Sequence, residues 1–295
     1  MLDNDILGVV TNPDRPKGRG MKMVASPVKE YAVSKNLEIY QPEKVRNNEE
    51  FIEKIKSLEP DVICVVAYGK ILPKEVLDIP KLGCINVHGS LLPHYRGAAP
   101  IQWAIINGDK TTGITTMYMD VGMDTGDMIL KEEVEIGLDE TTGELWSRLS
   151  KIGGQLLVKT LEQIEKGVAP RIPQGKEFTM APMLDKEMSK IDWNNKNATE
   201  IKNLVRGLDP IMGTYSYLNG KKIKIWKVDV LPNDNSNVEN GTVIKADSKY
   251  GLYIKAKDGV IKVIEIQGEN AKRMSVQDFL RGNKMKIGSK FEWFA

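Results

Sequence analysis

The chain has 295 residues, room for one large domain or two ordinary ones, and its 41% hydrophobic and 28% charged residues describe an ordinary globular protein. No apolar run approaches the roughly 20 residues a membrane helix needs, and no signal-like apolar segment follows the start, so no membrane role is expected. The formal net charge of +2 hides a split: Ile201 to Ala295 holds 17 Lys/Arg against 10 Asp/Glu, a net of +7, which leaves −5 for the rest.

The first 165 residues alternate strand and helix. Short β-rich runs occur at Ile6–Val10, Glu38–Tyr40, Asp61–Ala67, Cys84–Val87 and Ile114–Met119. Helical patterns lie between them at Pro27–Asn36, Glu49–Leu58, Lys74–Leu77 and Ala98–Asn107. This rhythm predicts an α/β, Rossmann-like, mostly parallel sheet covered by helices. Val62–Val66 is continuously apolar, the pattern of a central strand buried on both faces. A long helix from Thr141 to Lys166 closes the unit, opened by a capping box of Thr141 with Glu144. The two cysteines, Cys64 and Cys84, sit in separate strand-like runs without metal-ligand spacing and read as buried thiols of a reducing cytosol.

Periodicity is lost from Gly167 to Lys190, where Pro170, Pro173, Gly175 and Pro182 mark a linker. A helix over Ala198–Gly207 is followed by an all-β pattern: Lys222–Val230, Gly241–Ala246, Gly251–Ala256 and Val260–Ile266. Asn219-Gly220, Asn240-Gly241 and Asp258-Gly259 are hairpin signals, and a late helix spans Ser275–Leu280. These elements suit a small OB-like β-barrel. The expected division is 1–168, an N-terminal catalytic domain; 169–186, a linker; and 187–295, the barrel. The barrel's excess of cations suits a polyanionic partner, and equally a Lys-rich solvated face.

The α/β part lacks the glycines of a dinucleotide or ATP site: neither G-x-G-x-x-G nor G-x-x-x-x-G-K-[ST] occurs. Its only two histidines, His88 and His94, fall in one run, Cys84-Ile85-Asn86-Val87-His88-Gly89-Ser90-Leu91-Leu92-Pro93-His94-Tyr95-Arg96-Gly97. Side chains two apart on a strand share a face. Asn86 and His88 therefore project together where a strand ends and a loop opens, the usual place for a ligand cleft in an α/β sheet. An amide donor beside a titratable imidazole suits carbonyl chemistry. A second loop, Met119-Asp120-Val121-Gly122-Met123-Asp124-Thr125-Gly126-Asp127, is acidic and punctuated by glycine. Taken singly, a histidine at a strand end is more often structural, and an acidic turn is usually just a turn.

Together, Asn86–Pro93, Tyr95-Arg96-Gly97-Ala98-Ala99-Pro100-Ile101-Gln102-Trp103 and the Asp120–Asp127 loop closely resemble the folate-dependent formyltransferases, above all those acting on an aminoacylated initiator tRNA. The resemblance covers nearly the whole chain, including Asp14-Arg15-Pro16-Lys17-Gly18-Arg19-Gly20 and Ile191-Asp192-Trp193. It implies transfer of a formyl group from 10-formyltetrahydrofolate to the α-amino group of initiator methionyl-tRNA, by a cytoplasmic monomer without a metal. Asn86 and His88 would donate to the oxyanion that develops on the formyl carbonyl. Asp124 would orient His88. The loop Ser90, Leu91, Leu92 and Pro93 would touch the folate, helped by Tyr68–Pro73 and Val121–Asp124. The basic loop with Arg15, Lys17, Arg19 and Lys22 would enter the tRNA acceptor end, Arg19 most directly, and the barrel would bind the tRNA body.

Two departures from the family pattern stand out. Members of the family begin with a further strand, a Gly-Thr-Pro turn and a helix, so the expectation is that the chain is truncated and its sheet short of a middle strand. Asp209-Pro210-Ile211-Met212-Gly213 also lacks the usual tryptophan and second proline. Sugar-nucleotide and glycinamide-ribonucleotide formyltransferases, a formyltetrahydrofolate hydrolase and an inactive tRNA-binding protein are the alternatives. The first two do not account for the Asp14–Gly20 loop or the basic barrel, and the hydrolase leaves the tRNA-directed features unexplained.

Overall fold

The computed structural model describes residues 4–17, 21–232 and 237–292. The chain divides into two compact units: Met1–Ala98 with Gly113–Glu132 and Lys151–Met180, and Ala99–Thr112 with Glu133–Ser150 and Ala181–Ala295.

In the first unit β1 (Val9–Val10) pairs in parallel with β4 (Ile39–Tyr40). Between them come an antiparallel hairpin, β2 (Arg15–Lys17) with β3 (Lys22–Val24), and helix α1 (Pro27–Ser34). Ser26 starts α1 by accepting the Lys29 backbone N–H at 3.1 Å, and Pro27 supplies a preset helical φ at the first turn. Helix α2 (Glu49–Ser57) is capped by Asn48 in the same way. It buries Ile52 and Ile55, three apart on one face.

The main sheet has the order β5 (Ile63–Val66), β6 (Cys84–His88), β7 (Thr111–Tyr118), β8 (Met128–Glu135), with α3 (Lys74–Leu77) crossing between the first two. β5 and β6 are parallel and β7 runs antiparallel to β6. The α/β, Rossmann-like class holds. Among the described residues the parallel strand pairs of this unit are β1–β4 and β5–β6, which form separate ladders, so the main sheet is mixed rather than mostly parallel as expected.

Three further expectations are corrected here. The Val62–Val66 run is not buried on both faces, because β5 pairs only with β6 among the described residues, and Val66 is 58% exposed. Cys64, on the same edge strand, is exposed as well; only Cys84 is buried, its thiol pushed up to about 12 chiefly by that burial. Of the predicted strand Ile6–Val10, only Val9 and Val10 find a partner, and Ile6 and Leu7 lie exposed. β8 carries no sequence cue as clear as the others: its exposed positions Lys131, Glu133 and Glu135 are all charged, and Glu132 between them is polar too.

Helix α5 (Thr142–Glu165) covers the sheet. Ile164 and Leu157 pack with Ile85 and Ile129, while the Thr160 and Thr116 hydroxyls bond at 2.8 Å in the interior. The capping box at its start forms as expected: Thr141 N–H donates to Glu144 Oε2 at 2.8 Å, and Glu144 N–H donates to Thr141 Oγ1 at 3.3 Å.

In the second unit α4 (Pro100–Ile106) packs on α6 (Ala198–Leu208). Gly207 makes that approach close, since a Cβ there would lie 2.5 Å from Ile106. A curled antiparallel sheet follows, in the order β11 (Val243–Asp247), β12 (Gly251–Lys255), β13 (Gly259–Gln267), β10 (Lys221–Pro232), β9 (Thr214–Leu218), β15 (Phe291–Glu292). A Thr242–Lys290 bridge and the Val243 N–H bond to Ser289 O join its two ends. Strand β14 (Met274–Ser275) leads into α7 (Val276–Gly282). Ile201, Val205, Ile225, Ile254, Val263, Ile266 and Phe291, none more than 1% exposed, fill the interior. The OB-like barrel is thus a curled half-barrel plugged by α6. Among the described residues no helix is long and apolar enough to cross a membrane.

Candidate active site

β6 delivers Asn86 and His88 to one face, two residues apart, and ends at His88. The His88 side chain is 6% exposed and Asp124 is 16% exposed. Asp124 arrives from the β7–β8 loop, 38 residues further along the chain, and Asn86 Nδ2 donates to its Oδ1 at 3.4 Å. His88 Nδ1 stands 3.6 Å from the same oxygen. The other carboxylate oxygen, Oδ2, accepts the Gly97 backbone N–H at 2.8 Å. All three expected side chains therefore converge on one point.

The tautomer of His88 follows from its partner. Nε2 lies 2.9 Å from Tyr95 O, and a carbonyl can only accept, so Nε2 carries the hydrogen. Nδ1 is thus the ring nitrogen directed at Asp124 and at anything entering beside it. Tyr95 and Asp124 both take left-handed backbone (φ 60° and 54°), and so does Ala67 (φ 47°) ahead of the Tyr68 loop. Such conformations cost about 1–3 kcal/mol each in non-glycine residues and gather at functional sites.

The Ser90–Pro93 loop is held from below. Thr115 Oγ1 accepts the Leu92 N–H at 3.1 Å and donates to Ser90 O at 2.7 Å, and Ser90 Oγ donates to His94 O at 2.6 Å. Lys131 Nζ donates to Leu92 O, and burial lowers the pKa of that ammonium. Ser90 and Leu92 are wholly buried, with Leu92 packed on Met117 and Met128. Leu91 and Pro93 are half-buried and retain open surface.

The acidic loop is shaped by Asp120, whose Oδ1 accepts the Gly122 N–H at 2.9 Å and the Thr125 hydroxyl at 2.6 Å. Gly126 is required, since a Cβ there would fall 1.8 Å from Tyr118 O. Val121 (72%) and Met123 (56%) are exposed, and so is Ile71 (76%) on the other predicted folate segment. Met119 and Tyr68 both pack against the one buried cluster that holds Leu72, so the two segments share a patch of core. Exposed apolar side chains flanking a polar trio fit a flat aromatic ligand.

Of the basic loop, Arg15 and Lys22 lie exposed on the β2–β3 hairpin, with Lys17 paired opposite Lys22. Arg19 falls outside the described residues. Asp14 anchors the hairpin base by accepting from Lys29 Nζ at 2.7 Å and Gln41 Nε2 at 2.9 Å. Those two hydrogen bonds hold its carboxyl below the usual range. Sequence patterns give no sign of Thr115, Lys131 or Gln174. Gln174 lies in the aperiodic 167–190 segment and donates to Asp124 O and Gly126 O, both at 2.8 Å.

A family profile described as formyl transferase matches residues 1–161, and one described as formyl transferase, C-terminal domain, matches 183–284. The methionyl-tRNA formyltransferase of Clostridioides difficile is 54% identical over 96% of this chain and 91% of its own length. That of Acetivibrio thermocellus is 50% identical over the same shares. In fold, the chain resembles HypX from Aquifex aeolicus in complex with tetrahydrofolic acid, at a TM-score of 0.62 and 17% identity, over 88% of this chain and 47% of HypX. The chain therefore belongs to the formyltransferase family, in the branch of the methionyl-tRNA formyltransferases.

Proposed function

We propose that this protein transfers a formyl group from 10-formyltetrahydrofolate to the α-amino group of initiator methionyl-tRNA, so that translation can start. The observation that carries the reading is the meeting of Asn86, His88 and Asp124 at the end of β6, in a chain half identical to enzymes of that name. When bound, the folate supplies the one-carbon unit. The open sides of Leu91 and Pro93, with Ile71, Val121 and Met123, offer the apolar slot that would hold it.

The chain's own groups divide the remaining work. An α-amine has a reference pKa of roughly 7.7–8.0, and the ester of the aminoacyl linkage lowers it, so the nucleophile is largely neutral near pH 7.5. No covalent enzyme nucleophile is needed. Asn86 Nδ2 is an N–H donor that can turn from Asp124 toward the negative charge developing on the formyl oxygen. His88 Nδ1 can hold a proton from the amine against Asp124, while the Tyr95 carbonyl keeps the ring from turning. The Gly97 N–H fixes Asp124 in turn.

Arg15, Lys17, Arg19 and Lys22 take the acceptor end of the tRNA, and the basic 187–295 region takes its body, in a division with the 1–168 catalytic part and the 169–186 connection. Binding through phosphates should be steeply salt-dependent. Arg19→Ala is expected to raise KM for the charged tRNA and to leave KM for the folate unchanged. We place the protein in the cytoplasm as a monomer.

The deciding assay supplies 10-formyltetrahydrofolate with either methionyl-initiator tRNA or an amino-sugar nucleotide and measures formyl transfer. Transfer to the tRNA alone is expected, and transfer to the sugar alone would overturn the reading. His88→Ala and Asp124→Ala should each lower kcat by about 100-fold or more, and near-normal kcat in either would remove the trio from the mechanism.

A further inference from the structure

The segment after α5, aperiodic in sequence, runs along both catalytic loops. Thr179 O accepts the Arg96 N–H at 2.9 Å, and Thr179 Oγ1 accepts the Tyr95 N–H at 2.8 Å. Phe178 lies under the Arg96 guanidinium, 4.5 Å from ring centroid to Cζ. At the centre is Gln174. Its Oε1 accepts from Arg96 Nε at 2.9 Å, and its Nε2 donates to Asp124 O and Gly126 O, each at 2.8 Å. One carboxamide thus spends its acceptor on the His88-side loop and both its donors on the Asp124 loop.

We infer that Gln174 is a positioning residue that sets the approach of Asp124 to His88 and Asn86. Three features carry this. The two loops come from opposite ends of β6 and β7, and the Asp124 contact with Gly97 and the Gln174 bridge both span them. Tyr95 and Asp124, the residues whose left-handed backbone must be maintained, each donate a hydrogen bond to, or accept one from, the segment after α5. The amide is also matched to its partners, since only a group with one acceptor and two donors meets an Arg N–H and two carbonyls at once. A carboxylate at this position would face two carbonyl oxygens with no hydrogen to give.

The inference rests on the reading of Asn86, His88 and Asp124 as the catalytic trio. A displacement of the order of 1 Å at a reacting group can cost about 10²-fold in rate. The test is steady-state kinetics on the full chain carrying Gln174→Ala or Gln174→Glu, with Asp124→Asn as reference and thermal unfolding as control. Gln174→Ala is expected to lower kcat roughly 10- to 100-fold, with both KM values held within about threefold and Tm within a few degrees. Gln174→Glu should be impaired near pH 7.5 at least as much as Gln174→Ala, because an ionised carboxyl beside Arg96 has no hydrogen for the Asp124 and Gly126 carbonyls. A Gln174→Ala enzyme within threefold of wild-type kcat, a loss that only tracks falling Tm, or a Gln174→Glu enzyme with near wild-type kcat would each overturn the role. If Asp124→Asn itself kept normal kcat, the trio and this inference would fall together. A crippled Asp124→Asn beside a normal Gln174→Ala would overturn Gln174 alone.

Discussion

The barrel interior and the end of β6 are built on opposite principles. In the barrel, twenty buried apolar side chains from Ile191 to Phe291 form one continuous cluster, and polar groups enter it only in satisfied pairs such as Trp193 Nε1 to Ser216 Oγ at 3.0 Å. Around His88 the buried groups are polar, including Ser90, His88, Arg96, Thr115 and Thr116. The apolar packing beneath the loop reduces to a few residues such as Leu92, Met117 and Met128. Burial of hydrocarbon holds the first region. Hydrogen bonds between distant segments hold the second. Side-chain deletion should accordingly cost stability in the barrel and rate at the site.

The largest separation is expected between His88→Ala and a barrel substitution. His88→Ala should lower kcat by about 10²- to 10⁴-fold while the unfolding midpoint barely moves. Ile225→Ala, at a wholly buried position, should cost roughly 2–5 kcal/mol of stability and leave kcat of the folded fraction unchanged. Denaturant titration and saturating kinetics on the same preparations read both quantities, and a barrel variant with normal stability but lost kcat would break the distinction.

A more local probe is Gly126→Ala. The added methyl cannot avoid Tyr118 O without moving the Asp124 loop, so kcat should fall by about tenfold or more through misplacement of the acid. If crystals or spectra showed the loop unmoved and kcat intact, the geometry given to that loop would be wrong.

Smaller still is Thr141→Ala, which removes the hydroxyl half of the α5 capping box. About 1 kcal/mol of stability should go, with no change in KM. The same cap has a pH signature. Glu144 is held below the ordinary carboxylate range by the Thr141 backbone N–H and then its hydroxyl. Its folded pKa lies under the unfolded value near about 4.3. The stabilisation is therefore present above that pH and fades as the pH falls through the folded value. The midpoint difference between wild type and Glu144→Gln should shrink between about pH 5 and pH 3. A difference that grew on acidification would contradict the cap.

Much of this was legible before any coordinates. Period-two spacing put Asn86 and His88 on one face, and the Gly/Ser/Pro turn after His88 marked where the strand would stop. The Thr141–Glu144 box and the hairpin signals Asn219-Gly220 and Asp258-Gly259 behaved as local chemistry dictates, because those contacts span only a few residues, whereas Asn240-Gly241 joins β10 to β11, which do not pair with each other. The burial of β5 was misjudged because an apolar run reports what a strand can bury, not whether a neighbour is there to bury it. Leu92 and Leu91 look alike in sequence, yet one is core and the other half-open, a difference set by Thr115 and Lys131 from other strands.

The sequence by itself determined most of the elements, the caps and the two residues at the end of β6, since each depends on neighbours within a turn or on simple alternation. The folded chain alone set how Asp124, which the family resemblance had named, reaches His88, that Nε2 rather than Nδ1 bears the Tyr95 contact, and that Gln174 ties two loops together. Those depend on contacts between residues 36, 7 and up to 78 positions apart. At the larger separations, no local periodicity records which groups will meet, because the path of the intervening chain sets the distance.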